Sequence, residues 1–519
     1  LAMKATSIGH AGILIETGSR TIVCDPWFVP AFWASWFVFP RNDQLPSDVM
    51  AKLERPDYLY ISHQHGDHLD EAWLAKHIDK STPVLLPDFA TRELERQLNR
   101  LGFTNFIRTR NGEMTDLGDG LRVAIHVETA IADGPGGDSA MVVEDGTSRL
   151  VNQNDCRTGD LAELLKHGPI DMHWLQFSGA IWYPMVYDQP REELMALARS
   201  KVESQFARSI RYVDALGARV VVPSAGPPCF LDDDLFSVNM IDGDELSIFP
   251  DQTEFIARLA RNGNNNAIIN IPGTAISVSP TDVEVQHCVS DSDVQRPFVH
   301  KREYLLEYQA DWADWLRDTK ASWLVSNTNL VSELQAWWEP LLAMAPSLRG
   351  AIGGNCLVKT DGENILIDFS NGKISAYNNE PIKFRMEIAR PLLEGVVKQK
   401  AVDWSNSLFL SCRFTAWRDG SYNEYLYNFF KSLSVERMRR AEQEVVRKNG
   451  APDEVSNEIE LGDYVMQRYC PHRKADLSEF GVIEGDHVVC TLHGWKFQLS
   501  DGSCLNADDH KLSVRKRTS

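Results

Sequence analysis

Two short runs near the C-terminal end pair a thiol with an imidazole. They are Cys470-Pro-His472 and, after seventeen intervening residues, Cys490-Thr-Leu-His493-Gly-Trp495. Two thiolates and two neutral imidazoles suit a [2Fe–2S] centre with sulfur on one iron and nitrogen on the other, or a tetrahedral zinc. Each pair fits on one tight loop, so two loops can close on a cluster from opposite sides. Zinc sites favour C-x-x-C pairs, so C-x-H with C-x-x-H-G-W points to the iron–sulfur centre, with Cys470, His472, Cys490 and His493 as ligands. Imidazole ligation raises the potential of such a cluster and makes it an intermediate electron carrier, which implies an acceptor elsewhere.

A second constellation lies near the other end. The apolar run Asp57-Tyr-Leu-Tyr-Ile-Ser62 leads directly into His63-Gln-His65-Gly-Asp67-His68. Three imidazoles and a carboxylate within six positions are a metal-ligand set, suited to iron, zinc or manganese. The expectation is that His63 and His65 face one metal position and Asp67 and His68 a second. Downstream, Asp155 closes the strand-like run from Ser148 and is a further candidate ligand. His126, in the strand-like run Leu121–Val127, is a candidate ligand or a core histidine beside the site. His173 is another candidate at a strand end, and His77 reads as a surface residue. Asp67, His68 and Asp155 are the candidate catalytic groups.

These motifs carry a resemblance. H-x-H-x-D-H after a strand resembles the metallo-β-lactamase fingerprint, and C-x-H…C-x-x-H-G-W resembles the Rieske one. Together they resemble the CMP-N-acetylneuraminic acid hydroxylase family. Further stretches support the match: Val151-Asn-Gln-Asn-Asp155-Cys-Arg157, Phe177-Ser-Gly-Ala-Ile-Trp-Tyr-Pro184-Met185, the helix from Glu193 to Leu216, Val222-Pro-Ser-Ala-Gly226 and Val489-Cys-Thr-Leu-His493-Gly-Trp-Lys496. That family carries its Rieske domain first, whereas here it is last. The resemblance implies an α/β fold, an αββα metallo-β-lactamase-like sandwich, in which Asp155 holds the place of the metal-bridging aspartate. The final histidine of hydrolytic members is missing, because the expected segment reads Arg219-Val-Val-Val-Pro223-Ser-Ala-Gly226-Pro-Pro. One iron held by two or three histidines and a carboxylate therefore fits better than a two-metal hydrolytic site, although zinc or a second metal stays open.

What the resemblance implies is O2-dependent monooxygenation at a non-heme iron. Reducing equivalents come from NAD(P)H through a reductase and a ferredoxin or cytochrome. The substrate is a small polar molecule, sugar-nucleotide-like or N-acyl. Rival readings are N-oxygenation of an amine, a metal-dependent hydrolase with a redox-sensing cluster, and a redox or assembly protein with a dead metal site. Trp182 and Tyr183 line a pocket or pack in a core, and Arg157 holds an anionic group or makes a surface ion pair.

The elements that position these groups follow from pattern and punctuation. Thr6–Glu16 and Thr21–Trp27 read as two β-rich runs around a turn at Gly18, Glu71–Lys80 as a helix, and Ala267–Ile271 as a strand. Residues 301–345 are helical, 351–369 a hairpin, and Glu436–Lys448 a charged helix broken by Asn449-Gly-Ala-Pro452. Three domains result: 1–300 for metal and oxygen, 301–455 as an α+β accessory module weakly like a sterol-carrier-type fold, and 456–519 as a small all-β Rieske domain. A net charge of -20 makes the chain a poor candidate for nonspecific nucleic-acid binding, which needs a basic face, but leaves room for a small anionic ligand in a local basic pocket. Nine scattered cysteines are no disulfide framework. Cys24, Cys156, Cys229, Cys288, Cys356, Cys412 and Cys504 are read as single thiols in a reducing, cytoplasmic setting. Leu1-Ala2 reads as a short extension ahead of a start at Met3, with no secretory signal. The most apolar run, Phe28–Pro40, is shorter than the roughly 20 residues a membrane helix requires. A homo-oligomer is compatible with all of this.

Overall fold

The computed structural model describes residues 2–18, 20–131, 134–450, 458–472, 475–506 and 510–518. The chain forms two compact units. The first comprises Leu1–Thr129, Gly136–Ala180 and Tyr212–Lys320; the second comprises Ala130–Pro135, Ile181–Arg211 and Ala321–Ser519.

In the first unit, β1 (Met3–Gly9), β2 (Gly12–Thr17), β3 (Arg20–Cys24), β4 (Tyr58–Tyr60), β5 (Val84–Leu86) and β6 (Phe106–Arg108) share one sheet. A second sheet holds β7 (Met114–Gly118), β8 (Leu121–Glu128), β9 (Asp138–Glu144), β10 (Arg149–Asn154), β11 (Met172–Gln176) and β12 (Val220–Ser224). The chain then returns to the first sheet as β13 (Ala275–Val278) and β14 (Val283–Gln286), giving the orders β14-β13-β1-β2-β3-β4-β5-β6 and β12-β11-β10-β9-β8-β7. Neighbours from β3 to β6 and from β10 to β12 run parallel.

The two-residue period of a strand sets the layers. Ile13, Ile15, Ile22, Cys24, Tyr58 and Tyr60 of the first sheet pack against Val123, Ile125, Met141, Val143 and Trp174 of the second. The intervening Leu14, Val23 and Leu59 face the other way and bury Leu53, Trp73, Leu74, Leu94 and Leu98 of the helices Ser47–Glu54, Glu71–Lys76 and Glu93–Arg100. The helix Gln252–Arg261 packs on β12 of the second sheet. The unit is thus an αββα sandwich of the metallo-β-lactamase type. Each buried leucine or valine contributes about 1.5–3 kcal/mol, so the sandwich is a stiff base for groups at its strand ends.

The second unit has a five-stranded sheet made from β15 (Cys356–Thr360), β16 (Glu363–Asp368), β17 (Lys373–Ala376), β18 (Phe384–Ile388) and β19 (Phe414–Arg418). Trp338 and Trp404 are fully buried against each other, with ring centroids 4.9 Å apart, and Phe430 stacks on Trp404. Two three-stranded sheets follow. β20 (Glu458–Leu461), β21 (Tyr464–Gln467) and β25 (Val514–Lys516) form one; β22 (Gly481–Glu484), β23 (His487–Cys490) and β24 (Trp495–Gln498) form the other. The helix Arg191–Leu216 begins in the second unit and ends in the first.

Some expectations shift. Ala267–Ile271 is not a strand: Ala267 makes one isolated bridge to Val221. The Gln252 side chain then occupies the backbone N–H and C=O of Asn270, which a ladder would have used. The helix from Glu71 stops at Lys76. The helix Val435–Gly450 runs through Asn449, and the rest of the expected break, Ala451-Pro452, lies outside the described residues. Among the described residues, no helix is long and apolar enough to cross a membrane.

Candidate metal centre and cluster-binding loops

The first centre is assembled at strand ends. β4 delivers Ser62 and the loop His63–His68, whose turn is closed by His68 N–H and Leu69 N–H donating to the His65 carbonyl. Asp70 fixes the exit. One carboxylate oxygen caps the helix Glu71–Lys76 by accepting from Trp73 N–H at 3.0 Å, and the other accepts from the N–H groups of Phe28 and Val29 at 2.9 Å each. β10 delivers Asp155 after a register shift between Asn152 and Asn154. β1 delivers His10 after a similar shift between Ser7 and Gly9. Such bulges re-aim a side chain at the end of a ladder. His10, Asp25 and Asn154 all have positive φ, of 56°, 41° and 44°, a left-handed backbone uncommon outside glycine and typical of constrained sites.

Two carboxylates that sequence reasoning did not assign orient the histidines. Asp25, fully buried at the end of β3, lies 2.7 Å from His68 Nδ1 and accepts from Ser62 N–H at 2.7 Å and Ser62 Oγ–H at 2.5 Å. Asp138 Oδ1, at the start of β9, lies 3.1 Å from His63 Nδ1. Each ring is thereby held by Nδ1, and Nε2 is turned inward. His68 Nε2 is 3.2 Å from Asp155 Oδ2 and 3.4 Å from Asp67 Oδ2, and His63 Nε2 is 3.9 Å from Asp155 Oδ2. His63 Nε2, His68 Nε2 and Asp155 Oδ1 are all buried without a hydrogen-bond partner. An orphaned buried polar atom costs about 1–3 kcal/mol, so three converging on one gap fit a bound cation. His63, His68 and Asp155 offer their ligand atoms within 4.8 Å of one another, and so do His10, Asp67 and His68.

The electrostatics agree. Burial opposes a charged His68, but Asp155, Asp67 and Asp25 outweigh it and hold the ring well above the usual histidine range. Burial also opposes an ionised Asp155, but His68 and His63 outweigh it and keep the carboxyl low. Burial, helped by His63, holds His65 well below the histidine range, and its ring centroid is 4.5 Å from that of His63. A cation held by His63, His68 and Asp155 would supply that positive charge itself, and His68 would then ligate as the neutral ring.

The pairing of ligands differs from the expectation. His63 and His68 converge on Asp155, while Asp67 turns to His10, whose Nε2 is 2.8 Å from its Oδ2. The His10 carbonyl accepts from Ala225 N–H at 3.0 Å, in the segment where the final histidine is missing. His10, from the turn between β1 and β2, thus adjoins that segment through its backbone. His126 is a correction. Val123 and Ile125 face the sandwich, so His126 points out of the opposite face, where its Nε2 lies 2.8 Å from His167 Nε2 and burial lowers its pKa to about 4. His173 is excluded by the same alternation and meets Gln153 Oε1 at 2.8 Å. His77 lies on the surface as expected, paired with Glu54 at 2.7 Å.

The second donor set lies wholly in the other unit. β23 ends in Cys490, and the Gly494 N–H donates back to its carbonyl at 2.7 Å in a turn where Gly494 has φ 74°. Cys470 N–H donates to Ala475 C=O at 2.9 Å and closes the first loop. The loops bring Cys470 and Cys490 into side-chain contact. The hydrogen bond from Cys470 holds the Cys490 thiol well below the usual range against its burial, with His493 assisting. His472 and His493 have ring centroids 5.3 Å apart, and His472 stacks on Trp495 at 3.8 Å. A thiolate pair and an imidazole pair in facing loops are the donors a two-iron cluster needs. His472 is buried and His493 half-buried. Trp182 sits in an aromatic core of the same unit with Tyr427 and Phe414, and Tyr183 stands beside Arg418. Arg157 is half-buried in the first unit.

Comparison with known proteins places these observations. Residues 330–447 match the Rv3818-like, SCP2-like domain, and residues 429–515 match the Rieske [2Fe-2S] domain. The chain is 41% identical over 526 residues to a Rieske 2Fe-2S iron-sulfur protein of Mycolicibacterium smegmatis, covering 99% of this chain and 100% of that one. It is 41% identical over 519 residues to the Rieske 2Fe-2S iron-sulfur protein Rv3818 of Mycobacterium tuberculosis, covering 98% and 99%. It is 31% identical over 191 residues to cytidine monophosphate-N-acetylneuraminic acid hydroxylase of Danio rerio, covering 35% of this chain and 30% of that one.

Proposed function

This chain belongs to the family of Rieske 2Fe-2S iron–sulfur proteins that includes Rv3818, and on that footing we propose that it is an O2-dependent oxidoreductase acting through a non-heme iron in its sandwich unit. The observation that carries this reading is the gap among His63 Nε2, His68 Nε2 and Asp155 Oδ1, buried and without hydrogen bonds, in a chain that also carries a Rieske donor set. Cys470, His472, Cys490 and His493 would hold the cluster; His63, His68 and Asp155 would hold the iron, with Asp67 and His65 beside it. When bound, the cluster supplies single electrons and the iron supplies O2 activation.

The remaining work belongs to the chain's own residues. Asp25 and Asp138 hold the His68 and His63 rings by Nδ1, so that Nε2 is the ligand atom in each. His10 holds Asp67 by one oxygen. The partial likeness to CMP-N-acetylneuraminic acid hydroxylase supports hydroxylation of a sugar-nucleotide-like or N-acyl compound. Electrons would come from NAD(P)H through a reductase and a ferredoxin or cytochrome, in the cytoplasm.

One observation favours a second reading. His10, Asp67 and His68 form a second cation-sized group, which a two-metal hydrolase with a redox-sensing cluster would use. Metal analysis of the intact protein, with O2 uptake under a chemical reductant, separates the two. Iron beyond the two atoms of one cluster together with O2 uptake supports the oxygenase. Zinc at His63 and His68 without uptake sinks it. Asp25→Asn is expected to lower metal affinity of the first centre about 10- to 100-fold, measured by chelator competition, because it releases the His68 ring without touching a ligand atom.

A further inference from the structure

The carboxylate of Glu424 stands against a cluster histidine. Glu424 opens the helix Glu424–Phe430, which Asn423 caps by accepting from Leu426 N–H at 3.1 Å. Its side chain is buried, and Oε2 lies 2.5 Å from His472 Nε2. Its other oxygen, Oε1, is 3.4 Å from His510 Nε2 and 3.9 Å from Lys448 Nζ. The His472 ring is fixed on its flat side by Trp495. Glu424 falls within residues 330–447, the SCP2-like stretch, and not in either cluster loop.

We propose that Glu424 is a positioning residue that lowers the cluster's reduction potential through the His472 ring. The inference rests on the reading that Cys470, His472, Cys490 and His493 hold the cluster. A neutral imidazole that ligates through one nitrogen carries its proton on the other. Here Nε2 is taken by the carboxylate, so Nδ1 is the ligand atom. A carboxylate accepting the Nε2 proton draws the ring toward imidazolate and makes it a stronger donor, which favours the more oxidised iron. The pair is buried, so water and salt screen it weakly. Lys448, shared between Glu444 at 3.6 Å and the far oxygen of Glu424 at 3.9 Å, works the other way by offsetting part of the negative charge. The step concerned is the gain of one electron by the oxidised cluster from a reductant such as dithionite. No bond forms or breaks.

The two opposed neighbours give a signed test. Spectroelectrochemical titration of the full chain should find the potential raised in Glu424→Gln, which keeps an acceptor but removes the charge. It should find the potential lowered in Lys448→Met, which leaves the carboxylate less compensated. An unchanged or lowered potential in Glu424→Gln overturns the proposal. If that variant does not retain the cluster, Glu424→Asp decides, because the shorter side chain keeps the charge but withdraws it from His472 Nε2: a raised potential supports the proposal, and an unchanged or lowered one overturns it. Failure of the underlying ligand reading is seen separately, as a visible spectrum that survives loss of Cys490.

Discussion

His63→Ala is expected to abolish substrate-dependent O2 uptake while leaving the visible spectrum of the iron–sulfur cluster unchanged. The ring contributes Nε2, one of three orphaned atoms, to the gap, and alanine has no donor atom to take its place. Removing it leaves Asp155 facing His68 alone. Groups that only orient a ligand cost 10- to 100-fold when lost, so loss of the ligand itself should exceed about 100-fold in metal affinity. Metal content and uptake should therefore fall together. The cluster donors lie entirely in the second unit, in its stretch 321–519, and no ligand candidate of the first centre belongs to that unit. Bleaching of the spectrum in this variant would show that the two centres are not independent, and the division of roles argued above would fail.

The converse substitution, Cys490→Ala, should eliminate the visible absorbance entirely and with it all reductant-driven uptake, while the first centre keeps its metal. Cys490 ends β23 at the second loop, and its surroundings, Cys470 first and His493 with it, hold its thiol well below the usual range. A thiol biased toward the thiolate binds iron at little proton cost, and alanine supplies no sulfur in its place. Atomic absorption should register the loss of two irons per chain with the remaining metal unchanged. Residual absorbance at wild-type intensity would mean that the cluster is bound elsewhere.

How much of this could be read from the sequence depends on how local each feature is. The Rieske donors were legible because four ligands fall on two short loops, and the loops repeat the sulfur–nitrogen pairing. His63 to His68 was legible because it is one turn after one strand. The sandwich was legible only through the resemblance that the His63–His68 motif carries: Ile13-Leu14-Ile15 and Ile22-Val23-Cys24 are continuously apolar, and it is the structure that turns Ile13, Ile15, Ile22 and Cys24 to one face and Leu14 and Val23 to the other. Asp25 was invisible as a functional residue, since a single aspartate after a strand is common. Only the parallel pairing of Cys24 with Tyr60 carries it beside Ser62 and His68. Asp138 and His10 are the same case, brought in from other strands. His126 stayed open between ligand and core histidine because the strand was recognised but its face was not counted. Two residues of alternation from Ile125 and Val127 would have put it outside the sandwich.

The order in which the chain visits its two units has a consequence for synthesis. The first unit is left briefly at residues 130–135, left again at 181, re-entered at 212 and finished only at 320, while residues 181–211 belong with a region not yet made. On the ribosome, that stretch must wait for more than a hundred residues before its own neighbours emerge, and a single proteolytic cut at 320 would strand it. Neither half of this protein can be inherited, truncated or shuffled as one uninterrupted segment.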